Sequence, residues 1–416
     1  MERVASDLFT APGALTGSQF DGYVNAGWLS AEPPAGIVVP RNVFRIADDP
    51  EKMSTDHYIL NVGPQHPSTH GVLRVVTEMN GETVMSGEAH VGYLHRGVEK
   101  LAEDHRYYQV GSLLDRSDYL AGIHSETAFA LATEQLAEIE VPDRANWLRT
   151  LMGEVNRIAS HTVWLGPLGL DTGAMAPFLY LMRDREALLE VLEEVTGSRM
   201  MFNYVRPGGV LADITPGAER KLRAFLETAD KYLQEHWDIL ADSEIFRDRV
   251  QGVGTVDRER ALAWGATGFV ARAAGIDIDV RRDRPYAAYD QVEFDVATRT
   301  DGDIWARYEL RFEEWRQSLR IMRQALDGLP EGPVMATMPR VLRVPEGEAY
   351  ASVESPRGEL GVHVYSDGTD KPARMRVRPP AFYHLQICET CLPGQFLADS
   401  IVTIGSFDFI LGEIDR

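Results

Sequence analysis

Cysteine is scarce in this sequence, since only Cys388 and Cys391 occur among its 416 residues. Two cysteines exclude a disulfide framework and leave no set of four thiolates for an iron–sulfur cluster. Long hydrophobic runs are also missing, and no stretch approaches the roughly 18 to 20 apolar residues that a membrane-spanning helix needs. The first residues, MERVASDLFTAPG, lack the basic and apolar segments of a signal peptide, which predicts that the chain stays in the cytoplasm.

Basic residues are few relative to acidic ones, with 42 Lys and Arg against 63 Asp and Glu and a net charge of −21. Phosphate groups are repelled by such a surface, so direct nucleic-acid binding is not expected. The 44% of hydrophobic and 25% of charged residues are typical of a soluble globular protein and exclude disordered and collagen-like classes. The length favours two or three domains.

Several catalytic motifs are absent from the sequence. It contains no HExxH, no Gly-rich phosphate loop and no GxSxG, so hydrolase, kinase and Rossmann functions have no motif to support them. Cys388 and Cys391 form a CxxC spacing, but a single pair is a weak signal for metal or redox chemistry. Two thiols without a catalytic role are the preferred interpretation.

The spacing of apolar residues divides the chain into four parts. Residues 1–56 form a partly irregular N-terminal extension, and residues 57–91 form a small β-sheet with a hairpin turn at Asn80-Gly81. Helical periodicity dominates residues 92–330, and a period of two returns in a β-rich C-terminal region, residues 331–416. The predicted fold class is α+β, in which a bundle of long helices forms the core and small antiparallel sheets lie at both ends of the chain.

The pattern also predicts individual elements. Long helices are expected after Pro142-Asp143, from Phe178 to Val195, after Thr215-Pro216, and from Ile304 to Leu326. Strands are expected at 57–62, 72–79, 350–354, 360–365 and 374–377.

Histidines are concentrated near the start of the predicted folded part. Seven of the eleven lie within 68 residues: His57, His66, His70, His90, His95, His105 and His124. The densest segment, Gly63-Pro-Gln-His-Pro-Ser-Thr-His-Gly71, predicts a tight loop between two strands that can hold an imidazole rigidly. For any single histidine the alternative is a hydrogen-bonded core or surface residue. The i, i+5 spacing of His90 and His95 suits packing better than metal binding.

Six segments spread along the chain resemble one known family. They are Gly63–Gly71, His90-Val-Gly-Tyr-Leu-His-Arg-Gly-Val-Glu-Lys100, Asp115-Arg-Ser-Asp-Tyr119, Leu170-Asp-Thr-Gly-Ala-Met-Ala-Pro-Phe178, Arg206-Pro-Gly-Gly209 and Gly412-Glu-Ile-Asp-Arg416. Together they resemble the D subunit of NADH-quinone oxidoreductase, respiratory complex I, from about residue 57 to the last residue.

That resemblance implies a fold like the large subunit of nickel–iron hydrogenases, to which the family is related. This chain lacks the two Cys pairs that hold the hydrogenase metal, because residues 115–122 and 406–415 contain no cysteine. Without thiolate ligands nickel and iron have nothing to bind, so no metal is expected. The resemblance implies that the former metal cavity is a pocket for a quinone headgroup.

The family's site residues map onto five positions of this sequence. The resemblance implies that His70 and Tyr119 face the headgroup and that Asp171 is the carboxylate partner of the histidine, which makes these three the catalytic candidates. His66 and Asp118 are further candidates for quinone binding. A phenol and an imidazole suit the chemistry, because a quinone reduced by two electrons must take up two protons from hydrogen-bond donors. Tyr119 as a core residue and Asp171 as a helix cap are the structural alternatives.

The resemblance also implies an assembly. The chain itself is expected to hold no cofactor; quinone is the substrate, an iron–sulfur cluster belongs to a partner subunit, and NAD(H) and FMN bind elsewhere in the complex. Membrane-arm subunits are the other expected partners, and the complex translocates protons with this subunit peripheral to the cell membrane on its cytoplasmic side. A hydrogenase-type large subunit and an inert scaffold are the competing interpretations.

Three departures from the family pattern are visible. Residues 339–348 are short where the family usually has an additional helical segment, Phe409 stands where proline is usual, and residues 1–56 have no recognised counterpart. They raise the alternative of a second-copy paralogue that serves another electron-input module. Ubiquinone and menaquinone need the same donors, so the motifs favour neither.

Overall fold

The structure is a computed structural model that describes residues 57–64 and 71–416. The predicted N-terminal extension, residues 1–56, and the two loop histidines His66 and His70 lie outside the described residues. The described part has a helical core and small antiparallel sheets near both chain ends, which confirms the predicted α+β class.

The N-terminal sheet has three antiparallel strands in the order β1-β2-β3. They are β1, His57–Val62; β2, Arg74–Asn80; and β3, Thr83–His90. The hairpin between β2 and β3 turns at Gly81, whose φ of 58° lies in the region that favours glycine. The predicted turn is thus correct, although Asn80 is still part of the strand and pairs with Thr83.

Helices make up most of the middle of the chain, interrupted by one short hairpin. They are α1, Val98–Asp104; α2, Tyr107–Leu114; α3, Gly122–Ala137; α4, Asp143–Asp171; and α5, Ala176–Thr196. The hairpin consists of β4, Val205–Arg206, and β5, Gly209–Val210. There follow α6, Pro216–Ala241; α7, Glu244–Val250; α8, Arg258–Ala263; α9, Gly268–Ala273; α10, Val280–Asp283; and α11, Ile304–Gly328.

The four long helices α4, α5, α6 and α11 are those that the sequence predicted. The side chain of Thr215 caps α6 by accepting a hydrogen bond from the backbone N–H of Ala218. Gly197 ends α5 with a φ of 80°, a conformation that strains other residues. Helix α4 is buried on nearly all sides by α5, α11 and other elements, as expected of a central helix.

The C-terminal region begins with a second three-stranded antiparallel sheet and ends in helices. The strands are β6, Gly347–Ser355; β7, Gly358–Ser366; and β8, Arg374–Arg378. The helices are α12, Pro380–Cys391; α13, Leu397–Ser406; and α14, Leu411–Asp415. The three strands were predicted, whereas the three helices were not; they have 12, 10 and 5 residues and are much shorter than the predicted helices.

The two ends of the described chain pack together. Apolar residues of the N-terminal sheet, among them Val75, Met79 and Val84, share one hydrophobic cluster with Leu385 and Ile387 of α12. The backbone N–H of Val84 donates to the carbonyl oxygen of Gln395 at 2.8 Å. The three helices α12–α14 therefore connect the N-terminal sheet to the helical core.

Candidate functional site

The turn between α2 and α3 carries Tyr119. Asp118 shapes this turn, because its Oδ1 accepts hydrogen bonds from the backbone N–H groups of Leu120 and Ala121 at 3.2 and 3.0 Å. Gly122 follows at a close approach, where a Cβ would lie 2.2 Å from Oδ1 of Asp115. The local sequence thus fixes the position of the tyrosine through carboxylate–backbone contacts.

A buried cluster of charges adjoins Tyr119. Oδ2 of Asp118 is 2.8 Å from Nη1 of Arg357, and Nε of Arg357 is 3.5 Å from Oδ2 of Asp408. The same Asp408 oxygen is 2.8 Å from Nη2 of Arg311. All four side chains are buried, so solvent screens the attraction between these charges only weakly.

The Tyr119 ring is half buried at the edge of this cluster. Burial raises the pKa of the Tyr119 phenol, and the charge of Arg357 opposes that rise. The hydroxyl therefore stays protonated at neutral pH, and no hydrogen bond to it is formed within residues 57–64 and 71–416. A protonated hydroxyl of this kind is a donor available to a ligand.

The Asp118 carboxylate is buried and binds groups of the protein itself. Both of its oxygens are engaged, by Arg357 and by the turn backbone, and only 1% of the residue is exposed. Burial raises the pKa of Asp118, while Arg357 lowers it. Its predicted direct contact with quinone is not tested by these contacts and stays a prediction.

The cluster continues into a buried ionic network that crosses the core. Arg311 contacts Nδ1 of His161 at 2.9 Å, and burial together with Arg311 lowers the pKa of that histidine to about 4. Five guanidinium groups and six carboxyl groups form the network: Arg157, Arg272, Arg281, Arg311 and Arg357 with Asp118, Glu154, Asp279, Glu314, Glu354 and Asp408. Its N–O contacts of 2.6 to 3.5 Å tie α4, α9, α10, α11 and the second sheet together.

This network was not predicted from the sequence. Its one local signal is a charged residue within an apolar run, as for Asp408 between Phe407 and Phe409. Such a local signal does not reveal which residue pairs with the charge; the partner of Asp118, Arg357, is 239 residues away along the chain.

Asp171 is the last residue of α4 and is half buried. The described contacts do not join it to Tyr119. His66 and His70, in the loop that connects the paired ends of β1 and β2, are outside the described residues, so the predicted triad is not tested. Large apolar side chains near Asp171 are exposed: Leu170, Met175, Leu179 and Tyr180. We refer to these four residues as the apolar patch.

The CxxC pair lies inside the protein. Cys388 and Cys391 are free thiols on α12, and burial raises the pKa of both. Sγ of Cys391 donates to the carbonyl oxygen of Ile387 at 3.4 Å. Such thiols are poor metal ligands and nucleophiles at neutral pH. The described residues include no group of three or more His, Cys, Asp or Glu side chains arranged to hold a metal ion.

We expect the double substitution Cys388→Ala and Cys391→Ala to lower the free energy of unfolding by about 1–3 kcal/mol, because it removes two buried sulfur atoms. Metal content, measured by elemental analysis, should be the same for the double variant and the wild type. Bound metal that resists chelation in the wild type and is lost in the variant would contradict this view of the pair.

In residues 57–64 and 71–416, no helix combines the length and the apolar character needed to cross a bilayer.

Comparison with known proteins identifies the family. Residues 171–343 and 337–416 match the family described as respiratory-chain NADH dehydrogenase, 49 Kd subunit. The D subunit of NADH-quinone oxidoreductase from Carboxydothermus hydrogenoformans is 46% identical over 363 residues, which cover 87% of this chain and 100% of that protein. The chain belongs to the family of the NADH-quinone oxidoreductase D subunit. The predicted family is thereby confirmed.

Other members of this D-subunit family are similarly close. The D 2 subunit from Solibacter usitatus is 43% identical over 364 residues, covering 88% of this chain and 98% of the relative. The D subunit from Geobacillus thermodenitrificans is 44% identical over 364 residues, covering 87% and 100%. The range matched by the family description extends from Asp171 to the last residue and so includes Arg357 and Asp408.

Proposed function

We propose that this chain forms, together with an iron–sulfur partner subunit, the quinone-headgroup site of a proton-translocating NADH-quinone oxidoreductase. The observation that carries the proposal is the Tyr119 phenol, which is half buried, protonated and placed at the edge of the Asp118–Arg357–Asp408 cluster. Membership of the D-subunit family supports the reaction class.

Tyr119 donates its hydroxyl hydrogen bond to one quinone carbonyl. When two electrons arrive, negative charge develops on that oxygen, and a donor already in place stabilises the charge without reorganisation. The fixed turn around Asp118 holds the phenol for this purpose. The guanidinium of Arg357 also acts on the phenol, where its charge opposes those of Asp118 and Asp408.

His70 donates to the other carbonyl, and Asp171 is its carboxylate partner. A carboxylate behind an imidazole fixes the tautomer and raises the basicity of the ring, so that the histidinium can give a proton to the nascent quinol. His66, in the same loop, contributes a further contact to the headgroup. These assignments rest on the family motifs in the loop and in the Leu170-Asp171 segment.

The electrons come from an iron–sulfur cluster of the partner subunit, with NAD(H) and FMN bound elsewhere in the complex. The apolar patch, with Met175 63% and Leu179 58% exposed, supplies a surface that a partner subunit covers. We place the chain at the cytoplasmic side of the cell membrane, bound there through membrane-arm subunits.

The proposal is tested in the assembled complex with His70→Ala and Asp171→Asn. We expect His70→Ala to lower the rate of quinone reduction by roughly a hundredfold or more, because one donor to the developing charge is lost. Asp171→Asn keeps the shape of the side chain and should give a milder loss. Both rates are compared with reduction of an artificial acceptor at the electron-input end, which should remain near wild type.

Asp230→Asn is the matched control, since Asp230 is an exposed carboxylate whose ion pair with Arg323 lies on the surface. It should leave both rates unchanged. If the His70→Ala and Asp171→Asn variants reduce quinone at the wild-type rate, the roles assigned to these two residues are wrong.

A further inference from the structure

Glu413 is a second buried acid beside the Tyr119 turn. Helix α14 packs directly on this turn, where a Cβ on Gly412 would lie 2.6 Å from the carbonyl oxygen of Ser117. Glu413, the next residue, is only 2% exposed. Neither of its carboxyl oxygens has a hydrogen-bond partner of good geometry among the described residues, although the backbone N–H of Ala381 is near enough to favour the ionised form. A buried carboxyl so poorly partnered calls for a chemical explanation.

The charges around Glu413 disfavour a further anion. Asp118, Asp408, Arg357 and Arg416 face it. The guanidinium groups of Arg357 and Arg311 already pair with Asp118 and Asp408, so an ionised Glu413 would be a third carboxylate with only Arg416 as a further positive charge. Burial, with Asp118 adding to it and Arg357 opposing it, raises the pKa of Glu413 to about 8. Glu413 therefore holds a proton at neutral pH.

Arg357 also makes release of that proton feasible. Its Nη2 has no hydrogen-bond partner within the described part of the chain, although the residue is fully buried. This unused donor can stabilise the Glu413 carboxylate when it forms. Glu413 is thus an acid that is protonated at rest and can still ionise.

We propose that Glu413 stores the proton that restores the Tyr119 hydroxyl after the tyrosine has given its own proton to the reduced quinone. The inference rests on the proposed function. The two groups belong to one cluster, because the charges of Asp118, Arg357 and Asp408 act on the pKa of Tyr119 and on that of Glu413.

The proton and electron balance is complete. Two electrons from the partner's iron–sulfur cluster reduce the quinone, and two protons convert it to quinol. One proton leaves the Tyr119 oxygen, and the second comes from His70. The O–H bond of Glu413 then breaks, and its proton passes to the tyrosinate. Glu413 remains a carboxylate until it takes up a proton from solvent, and His70 regains its proton from solvent as well.

The test uses Glu413→Gln in the assembled complex. Glutamine keeps the shape and neutrality of the resting side chain but cannot release a proton. We expect quinone reduction to fall roughly tenfold or more, as for loss of a proton-transfer group, while reduction of an artificial acceptor at the input end stays near wild type. The wild-type rate should fall as pH rises through about 8, and the residual rate of Glu413→Gln should lack this step.

Infrared difference spectra upon quinone reduction give a readout that does not depend on rate. The carbonyl stretching band of a protonated carboxyl group should be lost from the wild type when Glu413 ionises and should be missing from the Glu413→Gln spectrum. Glu413→Asp retains a titratable carboxyl and should recover part of the rate and the pH step. A purely structural role would not produce this recovery together with the altered pH profile.

Glu389→Gln is the matched control. Glu389 is another buried glutamate, and burial raises its pKa to about 7, but it accepts the backbone N–H of Ala89 at 2.6 Å rather than joining the Tyr119 cluster. This variant should keep the wild-type rate and pH profile. If Tyr119→Phe slows the reaction and Glu413→Gln does not, the inference fails alone; if neither slows it, the proposed function fails.

Discussion

Replacement of Tyr119 by phenylalanine is expected to slow quinone reduction by roughly a hundredfold or more. The substitution removes one hydroxyl at nearly constant volume, and loss of a single donor to developing oxyanion charge typically has an effect of this size. The hydroxyl makes no hydrogen bond within the described residues, so its loss leaves none of their polar groups unpaired. Folding and assembly should therefore survive. The measurement compares quinone reduction with reduction of an artificial acceptor at the electron-input end.

Tyr108→Phe is a suitable control for this experiment. Tyr108 is also half buried and lies on α2, but its hydroxyl donates to the carbonyl oxygen of Pro339 at 2.7 Å, away from the ionic cluster. The control should lose at most a modest amount of stability and no selective activity. Wild-type reduction of short-chain quinones by Tyr119→Phe would mean that Tyr119 is a core residue only.

Arg272→Met is expected to destabilise the chain by about 3–5 kcal/mol, because it breaks three buried ion pairs at once. The guanidinium of Arg272 lies 2.6 Å from Glu314, 2.8 Å from Glu354 and 3.5 Å from Asp279, and all four side chains are buried. Without it, three carboxylates remain in the core with reduced compensation. Proteolysis of the partly unfolded protein at increasing urea concentration measures the free energy of unfolding.

Arg320→Met removes an equally large side chain from the surface of α11. Arg320 pairs with Glu293 and Asp295, which are both highly exposed, so its loss should change the free energy of unfolding by less than about 1 kcal/mol. Equal stability of the Arg272 and Arg320 variants would show that the buried network does not hold the fold together.

The elements that could be predicted from sequence are those with strong local signals. Helix α6 combines an apolar stripe with a Thr-Pro start, and α5 combines such a stripe with a glycine that can adopt positive φ at its end. The helices α12–α14 are shorter, with 12, 10 and 5 residues, and α14 is positioned by Ser117, almost three hundred positions earlier in the chain. Tertiary packing determines these elements, and packing is not visible in a local window.

The candidate site could be predicted only in part. Tyr119, Asp118 and Asp171 were selected through the family resemblance, while periodicity and composition gave only the enrichment of histidine near the first sheet. Glu413 stood in a recognised motif without a role, because nothing local shows that it faces Asp118 and Arg357. Burial and charge compensation are properties of the assembled fold, so the chemistry of Glu413 appears only there.

The pairing of the two chain ends has a consequence for synthesis in the cell. The Val84 N–H bonds to Gln395, and Asp118 needs Arg357 for its charge partner. A nascent chain emerges from its N-terminus, so the first sheet and the tyrosine turn leave the ribosome long before the segments that complete them. During that interval apolar strand residues and an unpaired carboxylate are exposed to water and to other chains. The first sheet and the tyrosine turn therefore stay incomplete until the final helices have been made.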